Sequence, residues 1–222
     1  MEIKIQLVVI GASGILCVII RQPWIICGIL TVALLINLVI SFIGEKRRKR
    51  KIDDLISKYC PNGVEYKCLG DVCDILDNQR KPISKANRES GEFPYYGANG
   101  IQDWVSGYLF DGTFLLVGED GSVINADKSP VLNWATGKIW VNNHAHVLAE
   151  NADVALLRYV YFALSCVDVS DIVRGVPPKL NQQNLRGIKI PLPPLSVQQE
   201  IVRILDGFSE LEAELEAELE AR

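Results

Sequence analysis

Two histidines, His144 and His146, are the only imidazoles in the chain. They stand two residues apart in Asn142-Asn-His-Ala-His146, and strand geometry would put both on one face, as a pair of metal ligands requires. No third ligand accompanies them, so a structural or ligand-facing role is the stronger reading. Cutting a phosphodiester needs a carboxylate–lysine cluster. Asp111, Glu119, Asp120 and Asp127 with Lys128 come nearest, but their spacing is loose and they read as turn acids of a β region. Cys60, Cys68 and Cys73 follow C-x7-C-x4-C, without the close pair of a zinc knuckle, and are expected to be free thiols. The glycine-rich phosphate loop, the G-x-S-x-G elbow, the G-x-G-x-x-G turn and a D-P-P-[FWY]-like adenine-methylation motif are all missing. No residue is nominated as catalytic, and neither a metal nor a cofactor is expected.

The elements that would position these residues change in kind along the chain. Ile52-Asp-Asp-Leu-Ile-Ser-Lys-Tyr59 has apolar positions at helical spacing and stops at Pro61-Asn62-Gly63, which predicts a short amphipathic helix. From Val64 to Leu148 short apolar or alternating runs separated by Gly, Asn and Asp predict strands, among them Thr113 to Val117 and Lys138 to Val141. Asp153 to Val167 reads as a buried helix with Arg158 as its main charge, and Ile188-Lys-Ile190 reads as a strand. Ser196-Val-Gln-Gln199 has the form of a capping box. A long helix follows, in which Ile201, Ile204, Phe208, Leu211 and Leu215 keep the 3-4 spacing of a coiled-coil seam. It ends in Glu-Leu-Glu-Ala repeated three times from Glu210 to Ala221, and no stop signal precedes Arg222, so the chain is expected to end before the full helix does.

Charge and hydropathy divide the chain. Trp24 to Ile43 is a 20-residue apolar run, about the length a helix needs to cross a ~30 Å hydrocarbon layer, and is a transmembrane candidate. Ile5 to Ile20 reads as a second short span or as half of a helical hairpin turning at Arg21-Gln22-Pro23. Glu45-Lys-Arg-Arg-Lys-Arg-Lys51 would hold the following residues in the cytoplasm. Residues 52–222 carry 15 Lys and Arg against 25 Asp and Glu, a net charge of −10, which opposes non-specific affinity for polyanions.

Four ordered segments resemble the specificity subunit of type I restriction-modification enzymes. They are Tyr95-Tyr-Gly-Ala-Asn-Gly-Ile-Gln102, Leu115-Leu-Val-Gly-Glu-Asp-Gly-Ser122, Trp140-Val-Asn-Asn-His-Ala-His-Val-Leu148, and a last segment from Pro178-Lys-Leu-Asn-Gln182 through Ile188-Lys-Ile-Pro-Leu-Pro-Pro-Leu195 to Gln198-Gln-Glu-Ile-Val-Arg-Ile-Leu-Asp206. Ile52 to Val64 is similar to the start of such subunits, whereas the 51 residues before it are foreign to the family.

The resemblance implies an α+β fold: a β-rich target-recognition domain over 52–195 and a coiled-coil spacer and dimerisation helix over 196–222, preceded by an apolar N-terminal helix or helical hairpin in 1–51. It implies a non-catalytic role in which partner methyltransferase and restriction subunits are directed to a bipartite site on double-stranded DNA. Such subunits carry two recognition domains and this chain has one. It therefore reads as a half that works as a homodimer or with another specificity half, or else as a truncated or silent cassette. The candidate DNA-contacting residues are Lys81, Asn99, Lys128, Asn143, Arg174, Lys179 and Gln182, each loop-like, near a family motif and of a type that reads base edges or phosphates. Residues 5–43 suggest a membrane anchor, which leaves two other readings open: a membrane-tethered interaction protein with a degenerate recognition fold, or a fused or misassigned gene start.

Overall fold

The computed structural model describes residues 5–11, 14–20, 39, 44, 46, 49 and 53–220, the side chains of residues 5–20 and of Glu212 excepted. It divides the chain into two units, Met1–Lys51 and Ile52–Arg222.

In the first unit, β1 (Ile5–Gly11) and β2 (Gly14–Ile20) pair antiparallel, from Ile5 opposite Ile20 to Gly11 opposite Gly14. This corrects the helical reading of Ile5 to Ile20. The run is rich in Val and Ile, whose branched β-carbons favour a pleated backbone, and its two glycines fall at the closing end of the hairpin. The transmembrane reading is corrected as well: among the described residues no helix is long and apolar enough to cross a membrane. Trp24 to Ile43, apart from Val39, lies outside the described residues, as does the expected turn at Arg21-Gln22-Pro23.

The second unit is the α+β domain that the sequence suggested. Residues 53–59 are helical (α1). β3 (Tyr66–Cys68) pairs antiparallel with β10 (Lys189–Pro191), drawing the two ends of the domain together. A one-turn helix α2 (Leu69–Val72) leads into a six-stranded sheet made of β4 (Cys73–Ile75), β5 (Ser90–Gly97), β6 (Gly100–Val105), β7 (Phe110–Gly118), β8 (Leu132–Val141) and β9 (Ala145–Glu150). Their spatial order is β4-β9-β7-β8-β5-β6, and every pairing is antiparallel except β5 with β8.

The register shows that this sheet is strongly coiled. Phe110 stands opposite Ile139 on β8, and Gly118 stands opposite Ala145 on β9. On a flat sheet these levels of β7 would be about 26 Å apart, at ~3.3 Å per residue. The chain has only the stretch from Ile139 to Ala145 in which to cover that distance, at most ~21 Å when fully extended. The β7–β8 ribbon must therefore wind round, and it does so at paired glycines. Gly112 and Gly137 face each other in register with φ of 149° and 79°, and the second of these is left-handed backbone that side chains disfavour. The winding lets the Asn142 amide donate to Tyr96 O at 3.1 Å and the Glu119 amide donate to His144 O at 2.8 Å, so turns from distant strands meet.

Both faces of β7 are buried. Leu115 and Val117 face a core shared with Leu148, Val160, Leu164, Leu180, Leu185 and Ile190, while Phe114 and Leu116 face the inside of the coil with Phe110, Ile139, Val141 and Val147. Each fully buried Leu contributes about 1.5–3 kcal/mol relative to exposure.

Three helices complete the unit: α3 (Leu157–Ser165), α4 (Gln182–Gly187) and α5 (Leu195–Glu220). α3 starts later than its apolar pattern suggests because its entrance is capped by tertiary partners. Glu150 Oε2 accepts from the Leu157 amide at 2.7 Å and Gln198 Oε1 from the Leu156 amide at 3.0 Å. Gln198 also donates to Pro193 O and Val154 O, at 2.8 and 3.2 Å. This replaces the expected capping box: Ser196 lies inside α5, and Gln198 joins the start of α5 to the start of α3.

Candidate functional site

Where β7 ends and β9 begins, six polar side chains converge, from fully buried His146 to exposed Lys179 and Gln182. Asp77 follows β4 in a short 3-10 turn, Arg80 ends that turn, Glu119 follows Gly118, His146 lies on β9, Lys179 comes from the segment that leads into α4, and Gln182 is the first residue of α4. Asp77 Oδ1 accepts the Val147 amide at 3.0 Å, and Oδ2 receives Gln182 Nε2 at 2.8 Å. His146 Nδ1 is 2.6 Å from the same Oδ2 and its Nε2 is 2.8 Å from Leu180 O. Arg80 reaches Glu119 Oε2 and Ala145 O at 2.6 and 2.7 Å and lies 3.4 Å from Asp77 Oδ2. Lys179 Nζ closes the set on Glu119 Oε1 at 3.0 Å.

Electrostatics account for so many charges in a buried place. Burial pushes the Asp77 carboxyl up, but the His146 hydrogen bond and charge, the Val147 amide and Arg80 outweigh it and hold the group below its usual range. Glu119, 9% exposed, has cations on both oxygens. The donor atoms of Asp77, Glu119 and His146 lie within 4.8 Å of one another, near enough for a metal ion. Arg80 and Lys179 already neutralise those carboxylates, so the donor set fits an ion-paired keystone better than a cation cage.

The seven candidate recognition residues are all exposed. Lys179 and Gln182 are anchored on the cluster itself. Asn143 lies in the turn between β8 and β9, tied to Glu119 through His144 O, and Lys81 follows Arg80, its amide donating to Val141 O at 3.3 Å. Asn99 sits in the β5–β6 turn beside Ala98, whose carbonyl accepts from Asn133 Nδ2 at 3.4 Å. Arg174 joins Lys179 through reciprocal backbone bonds of 3.1 and 2.8 Å. Lys128 stands apart from the cluster: it occupies a left-handed turn, φ 72°, with its ammonium 3.5 Å from Asp168.

The two histidines part company. His146 is fully buried, while His144 precedes the strand, is exposed and bonds to Asp120. The acids weighed as a nuclease cluster are scattered: Asp111 faces Lys138 in the β7–β8 register, Asp127 caps the Ser129 amide at 3.0 Å, and Glu119 belongs to the keystone. Asp77 and Arg80 escaped the sequence reading, because nothing local marks a partner 69 residues away. Of the aromatics, Tyr95 and Tyr96 are core, Trp140 donates to Lys81 O at 2.6 Å, Trp134 packs on Tyr161, and Trp104 is half exposed. Cys60, Cys68, Cys73 and Cys166 are free thiols.

The expected seam of α5 divides. Ile204 is buried and Ile201 half-buried; Phe208, Leu211 and Leu215 are 47, 51 and 61% exposed. Ile201 and Leu205 border a groove of about 400 Å³ with Tyr66, Tyr159, Phe162 and Cys166.

A coiled sheet that holds polar turns over a buried charge cluster, joined to a long helix with an exposed apolar stripe, defines the class of α+β domains that combine a presented loop surface with a helical connector. Residues 61–221 match the family described as type I restriction modification DNA specificity domain, and the chain belongs to that family. It is 45% identical over 152 residues to the type I restriction enzyme specificity subunit S.HindORF215P of Haemophilus influenzae, covering 68% of this chain and 39% of that one. It is 52% identical over 149 residues to the MpnII specificity subunit of Mycoplasma pneumoniae, covering 64% and 42%. The chain thus spans about two fifths of these relatives. Its fold is similar to the crystal structure of a type I restriction-modification S subunit from M. genitalium, with a TM-score of 0.58 at 16% identity over 81% of this chain and 50% of that one.

Proposed function

We propose that this chain is a DNA-specificity half: residues 52–195 read one half of a bipartite duplex site, and the helix from 196 pairs with a second copy or with another specificity half. It performs no chemistry. Methylation and cleavage belong to partner methyltransferase and restriction subunits, which it directs to the site. The observation that carries the reading is that Lys179 and Gln182, bonded to the charge cluster, and Asn143, beside the His144 carbonyl that accepts the Glu119 amide, are exposed residues of types that read base edges and phosphates, in a domain matching the family. Lys81 and Asn99 extend that surface, and Lys128 and Arg174 supply flanking phosphate contacts.

The acidic balance of residues 52–222 adds a requirement. With a net charge of −10, phosphate contacts alone release few counterions in its favour, so tight binding needs a basic partner. The test measures binding to a specific duplex at physiological salt, with and without the methyltransferase subunit, and maps the sites methylated. Specific binding only in the partner's presence supports the reading. Absence of any specific site with the cognate partner discards it. Within the complex, Asn143→Ala and Gln182→Ala should relax discrimination at individual bases by about 1–3 kcal/mol, whereas Lys128→Ala should weaken all sequences alike and lower the salt slope by about one.

A further inference from the structure

We infer that His146 is a buried imidazolium, protonated on both ring nitrogens, and that it is a positioning residue which clasps the segment carrying Lys179 and Gln182 to the end of the sheet. The positioning role rests on the DNA reading above; the protonation and the clasp stand without it.

The ring is fully buried and each nitrogen meets an oxygen. On one side is Leu180 O, a carbonyl, which only accepts. On the other is Asp77 Oδ2, whose carboxylate receives the Val147 amide on Oδ1 and Gln182 Nε2 on Oδ2 and lies 3.4 Å from Arg80, contacts that all favour its ionised form, an acceptor only. A neutral imidazole carries one N–H and one lone pair. In either tautomer that lone pair would face an oxygen lone pair at a fully buried position. Two N–H groups satisfy both contacts.

The surrounding charges agree. Facing the ring are Asp77 from the turn after β4, Glu119 from the end of β7 with Oε2 at 3.6 Å, Arg80 bridging these two, and Lys179 on Glu119 with Asp120 4.0 Å away. His144, exposed, bonds outward to Asp120. With His146 charged, the carboxylates Asp77, Glu119 and Asp120 meet the cations Arg80, Lys179 and His146 one for one.

The clasp follows from what the ring holds. Leu180 donates its amide to Glu119 O at 2.8 Å and receives His146 on its carbonyl, so both polar groups of one residue are bound to the sheet end. Its neighbours are Lys179, on Glu119, and Asn181, which caps α4 by accepting the Asn184 amide at 2.8 Å. Gln182 is steered by the same Asp77 that holds the ring. The placement of Lys179 and Gln182, whose side chains are held on Glu119 and Asp77, therefore depends on a proton pair on His146.

Because the chain holds only two histidines, [15N]histidine labelling of the full chain yields two imidazoles, told apart by His144→Gln. At pH 7 the expected spectrum has a proton bonded to each nitrogen of His146. A bare nitrogen overturns the proposal. So does a spectrum in which equimolar Zn2+ removes one of those protons, since a ligand nitrogen carries none. In His146→Gln, hydrogen exchange at Leu180 should quicken at least tenfold, and with partner subunits the methylated half-sites should lose base discrimination while methylation continues. Unchanged exchange overturns the clasp, and unchanged half-sites overturn the positioning role. If His146→Gln does not fold, the wild-type spectrum decides. A wild-type complex that methylates nothing tells against the DNA reading alone.

Discussion

The guanidinium of Arg158 on α3 donates to the carboxylate of Asp206 on α5 at 2.7 Å, while its central carbon stands 5.2, 4.8 and 4.7 Å from the rings of Trp134, Tyr161 and Phe162. One side chain thus ties the sheet, α3 and the long helix together. Both partners are about a third exposed, so the ion pair is screened and the ring contacts matter as much. Arg158→Met is expected to cost about 1 kcal/mol, or ~2–4 °C in melting temperature for a unit of this size. An unchanged melting temperature would mean that apolar packing alone holds α5.

The Glu-Leu-Glu-Ala repeat of α5 is expected to act as a ruler. Each unit adds ~6 Å to a helix at ~1.5 Å per residue, while a base pair advances ~3.4 Å. Deleting Glu214 to Ala217, with partner subunits restored, should leave the half-sites intact and shorten the gap between them by up to about two base pairs. Methylation mapping reads this directly, and an unchanged gap discards the ruler.

Asp77 should govern acid stability. Its carboxyl titrates lower in the folded chain than its ordinary value of 3.8, so its contribution is full above that value and is lost as pH falls through the folded one. Asp77→Asn is expected to destabilise the domain at pH 7 by about 3–5 kcal/mol, because buried cations lose their counter-charge. As pH falls below 3.8 and then through the lower folded value, the gap between wild type and variant should narrow. Urea titrations across pH measure both; a gap that widens on acidification would show that Asp77 is not ionised in the fold.

Gly137 tests the coil of the sheet. A β-carbon there would meet nothing within 4 Å, yet φ is 79°. Gly137→Ala should therefore cost about 1–2 kcal/mol through backbone strain alone. A neutral substitution would mean that the ribbon bends without left-handed backbone at that level.

The thiols should separate by reactivity. Burial, with Asp74 and Glu150 nearby, pushes the Cys73 thiol up to about 12, whereas Cys166 is exposed. Alkylation of the native chain at pH 8, followed by mass spectrometry, should label Cys166 and spare Cys73. Equal labelling would mean that the β4 edge opens.

Much of the fold is legible locally, since the patterns that specify an element repeat within it. The short apolar run from Thr113 to Val117, bounded by Gly112 and Gly118, and 3-4 spacing from Ile201 onward mark β7 and α5 whatever surrounds them. The same locality misleads where two structures share a pattern. Ile5 to Ile20 is an uncharged, mostly apolar run, and length with hydropathy does not separate a span from a strand pair; branched side chains and the glycines at 11 and 14 were the better signal. Ser196-Val-Gln-Gln199 spells a cap, but Pro193 O and the start of α3 claim Gln198, a choice between partners that a short motif cannot contain.

The sequence by itself determined the residue types, the strand and helix periods and the family, and with them which turns are polar. Only the tertiary structure decided which charges meet. Asp77 and His146 are 69 residues apart, and Asp77 and Gln182 are 105 apart. Their contact depends on strand order, on the coil of β7 and β8 at Gly112 and Gly137, and on Leu180 filling the core beneath. Buried ion pairs are stable only where several partners are desolvated together in one geometry. That condition belongs to the assembled sheet, and no stretch of the chain carries it alone.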